Sequence, residues 1–339
     1  MAHELYVVGD AYSMMRTSDS DMTWHGLEHV IDAGAPFDAW ANHPVFNWKI
    51  NRSKVRYATS HDPSQPLVSL DDKHVLFRSD NKKALSVVSA DYHVVQPKQV
   101  LEFFRDLCDA NHLKMDTAGV IRDGLKFWAL AKTGHEFNVG GKTDIVKQYV
   151  LLATSADSSM ATVAKPTTVR TVCSNTFHAS INNGEAAVKV RHSREFNETE
   201  VKMNLGLMDQ EFDQFGEYAN EMSRVMLNVS DAQRWMAELL TNRVGLSDED
   251  IAEITHKSRV FKSLWDSYVF APGAQPTLWG AFNATTHLVD HVRGRSFSTR
   301  FDSAQFGAGA TLKQQAWDKA VSIINASRAA NDVLATLTA

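Results

Sequence analysis

Only two cysteines, Cys108 and Cys173, occur in the 339 residues. Two thiols exclude a disulfide framework and a four-thiolate zinc site, and such sparse use of cysteine fits a reducing cytoplasm. Eight prolines and 17 glycines exclude collagen-like and low-complexity classes. No run of about 18 apolar residues occurs, so no membrane contact is expected. Met1 to Asp10 hold no basic segment followed by a long apolar run, so no secretory leader is expected. A GxxxxGK[ST] phosphate loop is missing too. Gly140-Gly141-Lys142-Thr143 comes nearest, but Glu136 stands where the first glycine is needed, which disfavours an ATPase. Gly307-Ala308-Gly309-Ala310 is too short, and lacks a preceding strand, for a dinucleotide site. No cofactor is implied. Excess positive charge is also lacking. Thirty-five basic against 40 acidic side chains give a net charge of −5, which excludes a strongly basic coat protein but not a local basic groove.

Hydrophobic residues make up 44% and charged residues 22%, the balance of a folded globular chain, and eight Trp with 17 Phe supply a core. Four segments are expected. Residues 1–23 read as a polar lead-in, 24–84 as β-rich, 85–195 as an α+β core and 196–339 as helical. Within the core, Leu85–Val95 reads as a strand and Pro97 opens a helix, where its missing N–H costs nothing. Val100, Phe103, Phe104, Leu107 and Cys108 then fall on one helical face. An antiparallel β-meander follows, with Arg122-Asp123-Gly124 as a hairpin turn and strands at Leu125–Lys132, Ile145–Thr154, Met160–Ala164, Val169–Cys173 and Ala187–Arg191. A helical turn is expected at Asn175–Ile181. Downstream, Phe212, Phe215, Tyr218, Met222, Val225 and Met226 keep helical spacing. Ser230 and Ser247 are expected helix caps, the second helix running to Phe270, where Ala271-Pro272-Gly273 breaks it. Thr277–His291 and Thr311–Leu337 are further helices. The fold class is therefore α+β: a helix plus antiparallel β-meander core, followed by a helical C-terminal half.

Two segments read His-x-x-acid-His, His25 to His29 and His287 to His291. On a helix such histidines share a face and could chelate zinc; the alternative is ordinary packing at a polar surface, and no third ligand follows from spacing. Cys173 has Asn175 and His178 nearby in sequence, the residue types of a thiol nucleophile with a base, but it lies in an apolar strand pattern that suits a buried thiol.

The charges are unevenly distributed. Lys165, Arg170, Lys189, Arg191 and Arg194 face a single acid, Glu185. Arg293, Arg295, Arg300 and Lys313 form a second stretch, and Lys49, Arg52, Lys54 and Arg56 a third. Aromatics lie near them: Trp48, Tyr57, Phe127, Trp128 and Phe297. Segregated cations with aromatics are what single-strand binding uses, phosphates meeting charge and free bases meeting rings. The candidate nucleic-acid-binding residues are Lys165, Arg170, Lys189, Arg191, Arg194, Trp128, Arg293, Arg295 and Arg300. The alternative is that these are solvated faces.

Trp24-His25-Gly26, Tyr92 with Val94-Val95-Gln96-Pro97, Arg170 with Cys173-Ser174-Asn175-Thr176, and Trp279 with Asn283-Ala284 and Asp290-His291 occur in this order. Together they resemble the phage/plasmid-like protein family, also called domain of unknown function 932. The resemblance implies a mobile-element protein of a bacterial cytoplasm and brings no catalytic residues. At fold level, helix, meander and helices are similar to phage single-strand annealing proteins of the RecT and Red-beta type. That likeness implies ATP-independent binding and annealing of single-stranded DNA by a ring- or filament-forming homo-oligomer. The competing expectations are a protein that binds a host partner and a metal- or cysteine-dependent enzyme.

Overall fold

A computed structural model describes residues 7–8, 11–12, 14–20, 29–110, 112–141, 144–157, 159–170, 175–177, 188–190, 198–271, 274–294 and 297–338. The strands begin with β1 (Val7–Val8), β2 (Ala11–Tyr12), β3 (Met14–Thr17) and β4 (His29–Ile31). Helix α1 (Phe37–Ala41) precedes β5 (Ile50–Tyr57), β6 (Val68–Arg78) and β7 (Ala84–Ser89), and α2 (Pro97–Ala110) precedes β8 (Lys114–Ile121), β9 (Lys126–Asn138) and β10 (Ile145–Ser155). After β11 (Thr162–Arg170), β12 (Asn175–Phe177) and β13 (Val188–Val190) the chain is helical: α3 (Glu198–Arg224), α4 (Val229–Thr241), α5 (Asp248–Lys257), α6 (Arg259–Phe270), α7 (Leu278–His287), α8 (Phe297–Phe306) and α9 (Ala308–Thr338). This is the α+β class, strand-rich first and helical after.

The chain forms two compact units. One comprises residues 1–133, 150–165 and 187–202, the other residues 134–149, 166–186 and 203–339. Strands β9, β10 and β11 each begin in one unit and end in the other. The main sheet has the order β12-β11-β10-β9-β8-β3-β4, with β13 also on β11. A separate three-stranded antiparallel sheet is β5-β6-β7.

In the first unit, α2 buries Val100, Leu101, Phe104, Leu107 and Cys108, the face expected from their spacing. The lead-in expectation ends at residue 14. Met14 and Met15 are fully buried, and β3 lies antiparallel to β8 and parallel to β4. Two consecutive methionines give no alternation, so nothing local marks them as a strand. Strand β7 stops at Ser89, short of the expected Val95; beyond it the Tyr92 hydroxyl donates to the Ala156 carbonyl at 2.7 Å. The Arg122-Asp123-Gly124 turn joins antiparallel β8 and β9 with three consecutive positive φ angles, 51°, 61° and 97°. Gly124 is required there twice over, because a Cβ would come within 2.5 Å of the Trp48 ring. The Arg78 guanidinium sits 3.8 Å from the centre of that ring and holds Asp80 and the Asp123 carbonyl, which roots β6 in the core.

His43 and His29 meet with ring centres 4.4 Å apart. Burial, and secondarily His29, lowers the His43 pKa from 6.5 to about 4. The unfolded chain therefore takes up a proton that the folded chain resists, so stability falls as pH drops from 6.5 toward 4. His43→Gln is expected to flatten that slope in thermal melts over this window; an unchanged slope would place the acid sensitivity elsewhere.

Strand β11 runs unbroken where two strands are expected. It pairs with β13 at Thr162–Ala164 and with β12 at Thr168–Arg170. Pro166 falls between these two pairings, so its missing N–H removes no ladder bond to either strand. Asn175–Phe177 is strand β12 rather than the expected helical turn.

The second unit is built around Phe212, Phe215, Ala219 and Met222 of α3, Trp235 and Met236 of α4, Trp279 and Phe282 of α7, and Trp317 of α9. Phe215 stacks on Trp317 at 4.6 Å between ring centres. Helix α3 ends at Arg224, so Met226 leaves the expected face and is exposed. The cap of α4 is Asn228, whose side chain accepts from the Asp231 N–H, and not Ser230. Ser247 does form a capping box with Asp250. The single helix expected up to Phe270 is two, because Ser258 turns extended and caps α6. Helix α7 starts at its Thr277 cap and passes into a π-helical turn at Leu288–Val292.

Candidate functional site

The basic residues of the expected groove have different fates. Arg170 is 4% exposed, and its Nε and Nη2 donate to the two carboxylate oxygens of Asp144, each at 2.6 Å. A guanidinium held this way is an internal partner, not a phosphate grip. Trp128 is 1% exposed and belongs to the core, as does Phe127, which stacks between Phe46 and Trp48. As neighbours in β9 they point to opposite faces of the sheet, and both are buried because both faces are covered from Phe127 to Ala131. Lys165 is half-buried on β11. Arg300 is half-buried and donates from Nε to the Arg293 carbonyl at 2.9 Å, while Arg293 itself is exposed. Lys313 is buried and donates to Asp290 at 2.8 Å. Lys189 is placed only by its backbone, opposite Val163. Arg191, Arg194 and Arg295 lie outside the described residues, as do Cys173, His178 and His25.

The third basic stretch emerges as a cationic row. Strand β5 is an edge of its sheet, and Arg52, Lys54 and Arg56 are all exposed. Arg52 and Lys54, alternate residues of a strand rising about 3.4 Å per residue, stand roughly 7 Å apart on one side, and Arg56 follows beyond a register shift against β6 between Lys54 and Val55. Lys54 makes an ion pair with Asp71 at 2.9 Å, with both side chains mostly in water, where such a pair is worth less than about 1 kcal/mol. Residues 49–89 hold eight Lys and Arg against four Asp, a net of +4 in a chain of net −5. Tyr57, 48% exposed, ends the strand.

The second unit holds a buried polar seam. Trp279 Nε1 donates to Asp144 Oδ2 at 3.0 Å, beside the bidentate Arg170. On α7 Asn283 bonds to the Trp279 carbonyl and Thr286 to the Asn283 carbonyl, and in the π-helical turn that follows Asp290 receives Lys313. Spacings of 4 and 3 keep Trp279, Asn283 and Thr286 on one face of α7. Arg170 and Trp279, from two separate motifs of the family resemblance, therefore meet on one carboxylate. Asp144 was the residue missed; it lies in an irregular stretch with no periodicity to mark it.

His287 and His291 come within 5.0 Å, ring centre to ring centre. His287 Nδ1 shares a hydrogen bond with Ser267 Oγ at 3.1 Å, and burial lowers its pKa against the pull of Asp290. Asp290 is committed to Lys313. Among the described residues no three His, Cys, Asp or Glu side chains group as metal ligands.

A cavity of about 320 Å³ in the first unit is lined by Asp19, Arg105, Lys114, Asp116 and Lys132 over an apolar floor that includes Trp40. Its charges pair off: Lys132 with Asp116 at 2.9 Å, Lys114 with Asp19 at 4.0 Å, and Arg105 with Asp106 at 2.6 Å. It favours neither sign of ion. Cys108 in its wall has its pKa pushed up to about 12 by burial, with Asp109 adding to the shift. The thiolate is the reactive form, so iodoacetamide is expected to leave Cys108 unmodified in the folded protein and to modify it in urea. Modification of the native protein at Cys108, read by peptide mass mapping, would contradict this burial.

A family model described as "Domain of unknown function (DUF932)" matches residues 84–326. The chain belongs to this family. None of the curated proteins matches it, and none of the solved structures does. The match opens at the first residue of β7 and takes in Asp144, Arg170, Trp279, Asp290 and Lys313. The polar seam is thus part of the family region, whereas the cationic row of β5 precedes it. Among the described residues no helix is long and apolar enough to cross a membrane.

Proposed function

We propose that this chain binds single-stranded DNA without ATP and promotes the annealing of complementary strands. The observation that carries the reading is the row of Arg52, Lys54 and Arg56 along the open β5 edge. Phosphates arrayed along a strand call for cations arrayed along a line, in water and not locked into internal pairs. Arg170 and Lys313 are spent inside the second unit, so the grip moves from the stretches first expected to β5. Arg293 and the cations outside the described residues add to it in this reading. An overall charge of −5 is compatible with it, since the local excess of basic residues, not the sum, attracts the polyanion.

The test is strand annealing with two complementary oligonucleotides, no ATP and no added metal, across a salt series. Acceleration well above the spontaneous rate, lost at high salt, is the expected result. No acceleration together with no single-strand binding at low salt would remove the reading.

A further inference from the structure

The sheet that carries the cationic row has a second open face. A register shift against β6 falls between Lys54 and Val55, and beyond it Val55 and Tyr57 lie opposite in sense to Arg56. The register sets Tyr57 against Val68 and Val55 against Leu70. Side chains paired across antiparallel strands share a face. On that face Tyr57, Val68 and Leu70 are 48%, 41% and 41% exposed. Single exposed apolar residues need no explanation, but a contiguous group on one sheet face marks an interaction surface. Because β5 is an edge strand, its cationic and its apolar side chains are both reachable from one line along that edge.

We propose that unpaired bases lie on this apolar face, with Tyr57 as the stacking platform, while the phosphates follow Arg52, Lys54 and Arg56 around the β5 edge. This rests on the nucleic-acid reading above and adds to it the strandedness of the ligand. Charge complementarity selects the occupant. A single strand offers negative charge and flat apolar rings side by side, and so uses both faces of the edge. A duplex keeps its bases stacked inside and engages the cations alone. Every base has a π-face, so little base preference is expected.

Four forms of the full chain decide it: wild type, Tyr57→Ala, Tyr57→Trp and a variant with Arg52, Lys54 and Arg56 each changed to Gln, with a fluorescent oligo(dT) and a duplex of equal length as probes. Tyr57→Ala is expected to weaken single-strand binding about ten-fold or more, the scale of one lost base stack, while duplex binding and its salt slope hold. Tyr57→Trp is expected to keep the affinity and to show tryptophan quenching on adding oligo(dT). If Tyr57→Ala binds oligo(dT) like wild type while neutralising the β5 cations abolishes binding, the stacking face is overturned and the cationic reading survives. If wild type binds neither probe, both fall. Self-association that Tyr57→Ala abolishes, with no change in oligo(dT) binding, would assign the face to a second copy of the chain and overturn the proposal.

Discussion

Replacing Asp144 by Asn is expected to destabilise the second unit by about 3–5 kcal/mol, the usual cost of removing one partner of a buried ion pair. For a unit of this size that corresponds to a fall of roughly 10 °C in the thermal midpoint. The reason is geometric. Asp144 takes both arms of Arg170 and the Trp279 indole N–H, and the Asp144 and Arg170 side chains are each 5% exposed. An amide in its place leaves the guanidinium buried without a counter-charge. A paired replacement, Asp144→Leu with Arg170→Met, is expected to recover much of the loss, because well-packed apolar groups can match or exceed a buried pair in stability. Differential scanning calorimetry of the three variants checks this. Equal midpoints for wild type and Asp144→Asn would show that Arg170 finds other compensation. A buried pair is weak evidence for stability as such. What it does here is fix the end of β11 to α7, by a contact that only one register of strand and helix can make.

Neutralising Arg52, Lys54 and Arg56 together, each to Gln, is expected to reduce the slope of log affinity against log salt by about 2. Single strands lose roughly 0.7 in slope per contacted phosphate, so at about 0.1 M salt the same three contacts amount to a loss of about a hundred-fold. The fold is not at stake. All three side chains are exposed, and the Lys54–Asp71 pair lies mostly in water. Titration of a fluorescent oligonucleotide at four or five salt concentrations gives the slope directly. An unchanged slope would take the β5 edge out of the binding surface and return attention to Arg293 and the basic residues between 189 and 195.

Much of the local structure was legible in the sequence. The apolar face of α2, the hairpin at Arg122–Gly124, the Ser247 cap and the break after Phe270 each depend on residues close in sequence, where spacing and turn chemistry act alone. The change from strands to helices was legible for the same reason: two periods, 2 and 3.6, write different patterns. What was not legible depended on partners. Met14 and Met15 form a strand only because β8 and β4 flank them. Ser230 reads as well as Asn228 for a cap, and the backbone path into α4 chose between them.

The candidate site divides along the same line. The amino-acid sequence by itself determined the class of the protein, its family motifs, and the clustering of cations at 49–56, 165–194 and 293–313, since composition and order are enough for these. Only the tertiary structure decided which cations reach water. Arg170 and Lys313 were drawn inside by Asp144 and Asp290, acids 26 and 23 residues away in sequence, while Arg52, Lys54 and Arg56 were left along an edge. A charge gains or loses its availability through whatever packs against it, and that neighbour is set by the fold, not by the adjacent residues.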